Sequence, residues 1–166
     1  CDEPPMILPM GRTTERLAAM GIELPASVAP VANYVPARIV GSLLYLSGQI
    51  PMMDGSLCAT GSVPSSVDVE TATAAARQCA INALAAASEA LDGDLDRIDC
   101  IVQVRVYVAC EPGFTQQSTV ANGASDLLAE VLGDAGRHTR VAIGSVALPM
   151  GATVEVEALM ALREAQ

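Results

Sequence analysis

Arg140 and the pair Glu155 and Glu157 are the residues whose types and spacing most invite chemistry. The two glutamates lie two apart in Thr153–Leu162, a stretch that alternates like a half-buried strand, so both carboxylates share one face. A carboxylate on such a strand needs a partner. One reading is catalytic: the planar fork of Arg140 clamps a substrate carboxylate while a glutamate activates water. The other is structural, an Arg–Glu pair across strands or between subunits, and spacing alone favours it. Ser47 in Ser-Gly-Gln lacks the flanking pattern of a nucleophile elbow and lies far from His138, so it reads as a polar turn residue. His138, between Arg137 and Thr139 at a strand entrance, reads as a solvated loop histidine. Tyr34 and Tyr45 are either site-lining or scarce core aromatics. Asn122-Gly123 places two poor helix formers inside a helical stretch, which predicts a kink or an Asn side chain aimed into a pocket.

Composition removes several function classes. The net charge is −10 and all nine basic residues are arginine. Without lysine, Schiff-base chemistry through a side-chain amine is excluded. No cationic cluster is available to neutralise phosphates, which argues against a nucleic-acid partner, and the acidic balance disfavours anionic membranes. Five cysteines, at positions 1, 58, 79, 100 and 110, show no C-x-x-C pair, and His138 has no Cys or His neighbour, so no metal site is expected. Buried, reduced thiols in a cytoplasmic protein are the expectation. No apolar run reaches membrane-spanning length. Cys1-Asp2 allows a processed lipoprotein start, but residues 1–9 read better as an extension ahead of a native start at Met10.

The elements that must position these residues follow from periodicity. A short helix is predicted over Thr13–Met20, stopped by Gly21, and an extended connector over residues 22–33. Val35–Pro51 predicts two strands about Gly41-Ser42, broken at Ser47-Gly48-Gln49, and Asp54-Gly55 predicts a hairpin turn. A long helix capped by Ser65 or Ser66 runs to Leu91. Ile101–Val108 is a strand with Val102, Val104, Val106 and Val108 on one buried face. A second helix spans Thr115–Leu132, and Arg140–Ala147 and Thr153–Leu162 are the last strands. Strands, helix, strand, helix, strands make an α+β domain with helices on one face of a sheet. The large aromatics are almost absent, with no Trp and one Phe, so small side chains build the core and subunit contacts are expected to cover part of the apolar surface.

Several stretches together carry a family resemblance: Tyr34, the run Gly41-Ser42-Leu43-Leu44-Tyr45-Leu46-Ser47-Gly48-Gln49-Ile50-Pro51, and Arg140 followed by Ala147-Leu148-Pro149 and Val154-Glu155-Val156-Glu157-Ala158. They resemble the RidA/YjgF family of reactive imine/enamine deaminases over roughly residues 28–162. The resemblance implies a chorismate-mutase-like α+β fold, a mixed sheet with two long helices packed on one face, assembled as a homotrimer. The domain would span 28–166, with 1–27 an N-terminal extension carrying the short helix. The implied activity is hydrolytic deamination of 2-imino and enamine acids to 2-oxo acids and ammonia in an intersubunit cleft, of the 2-iminobutanoate/2-iminopropanoate deaminase type. It needs no metal or organic cofactor and a small carboxylate-bearing substrate. Arg140 matches the carboxylate-binding arginine and Glu155 the water-positioning glutamate. Tyr34, Ser47, Asn122 and Ala142 match pocket positions. Val141, Ala142 and Ala32-Asn33 depart from the usual family residues and mark a less characterised branch. Alternatives are a catabolic deaminase of an aminomuconate-like substrate and a non-catalytic trimer that senses a carboxylate metabolite. The ribonuclease label sometimes attached to the family is opposed by the charge and the missing lysine.

Overall fold

The computed structural model describes residues 11–26 and 33–163. The expectations for residues 1–9, Met10 and Ala32 lie outside the described residues. Chain order is α1 (Arg12–Ala19), β1 (Ala37–Val40), β2 (Leu43–Gln49), β3 (Met52–Met53), β4 (Ser56–Leu57), α2 (Val69–Ala90), β5 (Ile98–Ala109), α3 (Gln117–Leu132), β6 (Thr139–Ser145) and β7 (Val154–Leu162).

Five strands form one mixed sheet in the order β1-β2-β7-β5-β6. Only β5 and β6 run parallel, joined by the α3 crossover; all other neighbours are antiparallel. β7 is central, and its burial alternates without exception from Val154 to Leu162. Val154, Val156, Ala158 and Met160 face the two helices. They meet Val104, Val106 and Val108 of β5, Leu44 and Leu46 of β2, and the alanine face of α2. Glu155, Glu157, Leu159 and Ala161 face the other way and are only half-buried.

Alanine lets α2 and α3 approach closely. A Cβ on Gly123 would lie 1.9 Å from the Thr73 carbonyl oxygen, so the α2–α3 crossing requires glycine there. α3 runs unbroken through Asn122-Gly123; the glycine marks close packing rather than a kink. β3 and β4 form the hairpin at Asp54-Gly55, both in positive φ as a tight two-residue turn demands.

Several sequence expectations shift. α2 is capped by Asp68, whose carboxylate accepts the Thr71 N–H at 2.7 Å, not by Ser65 or Ser66. The reason is that residues 62–66 are already committed: the Val63 N–H donates to the Ala109 carbonyl and the Ser66 N–H to that of Ser62. β5 starts at Ile98 and its pairing with β7 skips a residue twice, at Asp99 and at Val102. The second bulge turns Val102 outward, 37% exposed, and puts Ile101 in the core instead. β2 continues to Gln49 through a bulge after Leu46 rather than breaking at Ser47. Cys79 is buried, whereas Cys58 is exposed and Cys100 and Cys110 are partly so, which corrects the expectation of uniformly buried thiols. Among the described residues no helix is long and apolar enough to cross a membrane.

α1 packs on this frame. Leu17 enters the core, and Asp96 accepts the Arg12 and Thr13 N–H groups at 2.7 and 3.0 Å. Arg16 donates to the Val131 carbonyl at 3.2 Å, near the C-terminal end of α3.

Candidate functional site

The structure gathers the residues singled out above into two clusters. The first lies where β6 passes α3. Arg140 pairs in register with Val104, and Val104 with Ala158, so its side chain leaves the sheet on the helix-covered side. Because β6 is an edge strand, the guanidinium stays exposed and lies along α3. Its Nη1 donates to Asn122 Oδ1 at 2.9 Å and to Ser125 Oγ at 3.1 Å; its Nη2 donates to the Ser118 carbonyl at 3.4 Å. A guanidinium has five N–H donors. Both Nη1 nitrogen contacts are to the protein, whereas Nε–H has no partner among the described residues and Nη2 has only the long one to Ser118. The Nε/Nη2 edge is therefore the less engaged one, the edge used in a side-on bidentate carboxylate contact. Ala142 sits two residues along on the same face, packed against the core.

The second cluster lies at the β2 end of the sheet. Glu155, Tyr107 and Ile143 stand in one row across β7, β5 and β6 on the open face. The Glu155 carboxylate lies over Gly48: a Cβ there would sit 1.8 Å from Oε1. Ser47 next to it donates from Oγ to the Val35 carbonyl at 2.7 Å, which draws half-exposed Tyr34 to the same end. Burial raises the Glu155 carboxyl above its ordinary value, and the charge of Glu157 raises it further. The loop after β2 is fixed from below by buried Asn82, whose Nδ2 donates to the Ile50 and Met52 carbonyls at 2.9 and 3.0 Å.

Glu157 has a different environment. Its Oε1 accepts from Arg105 at 2.6 Å and from the Tyr107 hydroxyl at 3.1 Å. The cross-strand Arg–Glu pair therefore exists, with Arg105 rather than Arg140 as its arginine. Burial and the Glu157 carboxylate push the Tyr107 hydroxyl upward.

Arg140 and Glu155 are not brought together within one chain. They project from opposite faces, separated by two strand spacings, about 10 Å, and by three residues, about another 10 Å, along the sheet. Sequence reasoning missed Ser118, Ser125 and His138. Ser125 lies three after Asn122, on the same side of α3, which was the available signal; Ser118 acts through its backbone carbonyl and left none. His138 is not a solvated loop residue: it is partly buried, with Nε2 3.0 Å from Ser125 Oγ and Nδ1 2.6 Å from the Gly136 carbonyl.

A mixed sheet covered on one face by two helices, with a clamped edge-strand arginine and a carboxylate laid over a glycine, defines a recognisable class of α+β domain. The chain belongs to the YjgF/chorismate-mutase-like family: the model described as "YjgF/chorismate_mutase-like, putative endoribonuclease" matches residues 14–162. It is 46% identical over 157 residues to "Protein TCP17" of Trypanosoma cruzi, covering 94% of this chain and 98% of that one. Among solved structures it is similar to the protein Atu1372, of unknown function, from Agrobacterium tumefaciens. That likeness is 45% identity with TM-score 0.86, over 91% of this chain and 92% of the other. It is also similar to a "putative endoribonuclease" from Shewanella oneidensis MR-1, 34% identical with TM-score 0.88, over 92% of this chain and all of that one, 100%.

Proposed function

We propose that the protein is a cytoplasmic hydrolytic deaminase that converts reactive 2-imino and enamine acids to 2-oxo acids and ammonia between subunits of a homotrimer. The observation that carries this reading is the clamped guanidinium of Arg140 with its Nε/Nη2 edge left open. An arginine already ordered by its protein binds a carboxylate with less entropic cost. The split between clusters supports a composite site: the Arg140 half of one subunit would face the Glu155, Ser47 and Tyr34 half of a neighbour. The exposed apolar side chains Tyr45, Val141, Ile143 and Val146 supply surface for such an assembly.

The chemistry needs little else. A 2-imino acid is electrophilic at the imine carbon. Glu155 takes a proton from water as the oxygen bonds to that carbon, and the C=N π pair moves to nitrogen, which takes up a proton. The tetrahedral intermediate collapses as its hydroxyl proton passes by way of Glu155 to the amine nitrogen, the C=O bond forms and the C–N bond breaks to release ammonia. An enamine enters the same route after protonation at carbon. A carboxyl raised above its ordinary value by burial is a stronger base than a free one, which suits a group that accepts a proton and returns it. The ribonuclease description carried by relatives has less support, since a net charge of −10 without a lysine opposes phosphate binding.

The test is ammonia release from freshly generated 2-iminobutyrate, with Arg140→Ala as control. Turnover in the wild type and none in the variant is expected. Saturable 2-oxobutyrate binding without ammonia release would replace the deaminase with a carboxylate-binding trimer.

A further inference from the structure

We infer that Ser125 and His138 are positioning residues for Arg140, forming a relay of ordered protons that decides which edge of the guanidinium is presented. The inference rests on the proposed role of Arg140 as the carboxylate clamp.

The directions in the relay follow from its one obligate acceptor, the Gly136 carbonyl. The Gly136 carbonyl can only accept, so His138 Nδ1, 2.6 Å away, carries a proton and donates it. In the neutral ring Nε2 is then an acceptor. Ser125 Oγ, 3.0 Å from Nε2, donates its hydroxyl proton there. Its lone pairs are left to accept from Arg140 Nη1 at 3.1 Å, while Asn122 Oδ1 takes the other Nη1 proton at 2.9 Å. Nη1 is thereby consumed by the protein, and the Nε/Nη2 edge is the one left to a ligand.

The backbone supports the same arrangement. Ser125 and Asn122 are three apart on α3, and His138 and Arg140 are two apart at the entrance of β6. The turn Gly133–Gly136 between them is pressed against α3: a Cβ on buried Gly136 would lie 2.1 Å from the Leu128 carbonyl oxygen. That contact fixes the Gly136 carbonyl under the imidazole. Without the imidazole as acceptor, the Ser125 hydroxyl rotates to a new partner and withdraws its lone pairs from Nη1.

The test compares Ser125→Ala, His138→Leu and His138→Gln, the last retaining an acceptor where Nε2 stood. For 2-iminobutyrate, Ser125→Ala and His138→Leu should raise KM about 10-fold with kcat within about 2-fold, the loss of one hydrogen bond to a charged group in ground and transition state alike. His138→Gln should restore most of the loss. Calorimetric affinity for 2-oxobutyrate should follow the same order. In the ligand-free protein, the Arg140 Nε–H resonance should be sharp in the wild type and in His138→Gln, and broadened in His138→Leu. An unchanged KM and resonance in His138→Leu would overturn the relay, as would His138→Gln behaving like His138→Leu. If the wild type neither turns over 2-iminobutyrate nor binds 2-oxobutyrate, the deaminase reading falls, and the resonance series still decides the relay.

Discussion

The two faces of β7 differ more than any two other regions of the molecule. On one, Val154, Val156, Ala158 and Met160 are sealed beneath α2 and α3. On the other, Glu155, Glu157, Leu159 and Ala161 remain half-exposed beside Tyr45, Val141 and Ile143. The covered face is complete within one chain, and every polar group that enters it is satisfied, as Asn82 is by two carbonyls and by Gln78. The open face holds a carboxylate raised by burial and exposed apolar side chains that no other described residue covers. A complete face supports the clamp; an incomplete one points to a second copy.

The strongest way to break this contrast is to remove the clamp. Arg140→Ala should abolish the proposed deamination while leaving the melting temperature within a few degrees, since the side chain is exposed and only its own hydrogen bonds are lost. Arg140→Lys should recover little activity, because an ammonium cannot reproduce the fork. Unfolding or dissociation of Arg140→Ala would make the residue structural.

Glu155→Gln tests the open face. Turnover should fall roughly 10²-fold or more if the carboxylate shuttles protons, with little change in substrate affinity. Its stability effect has the opposite sign. A carboxyl raised in the folded state stabilises the fold fully below its ordinary value of 4.5 and loses that contribution as pH rises through the folded value. Glu155→Gln should therefore melt higher than wild type at neutral pH, and the gain should vanish in acid. A lower melting temperature at pH 7 would contradict the burial argument.

Ile143→Glu places a charge in the middle of the open face and should convert the proposed trimer to smaller species by light scattering, with far-ultraviolet circular dichroism unchanged. On the covered side, Gly123→Ala drives a methyl into the Thr73 carbonyl. It should cost about 1–3 kcal/mol and lower the melting temperature by several degrees without changing the oligomer. The smallest effect belongs to Glu157→Gln, which weakens a partly exposed pair with Arg105 and should barely move the melting temperature, with near-normal turnover.

The covered face was the legible one. Strict alternation in Val154–Leu162 and alanine periodicity in α2 report burial directly, so strand, helix and face all follow from them. Local competition hid the rest. Asp68 displaced Ser65 and Ser66 because those serines belong to a turn whose backbone is bound to β5 at Val63, a contact made far along the chain. Val102 left its expected face because a bulge breaks the period that exposed its neighbours' pattern. At the site, Arg140, Asn122 and Glu155 carry recognisable types and spacing. His138 does not, because its role depends on a carbonyl two residues away and a hydroxyl on another element.

The clasp between Asp96 and the start of α1 has a consequence for local opening. α1 holds Asp96, beside the start of β5, through its first turn, and Val131 of α3 through Arg16. Leu17, next to Arg16, belongs to the core, so loosening α1 would uncover core side chains near the last turn of α3. Amide hydrogens of α1 and of residues Leu128–Leu132 should therefore exchange with solvent as one cooperative unit, at a common opening free energy below that of β7. Asn122 and Ser125 lie in the turns of α3 before that unit, so the arginine should stay clamped while α1 opens.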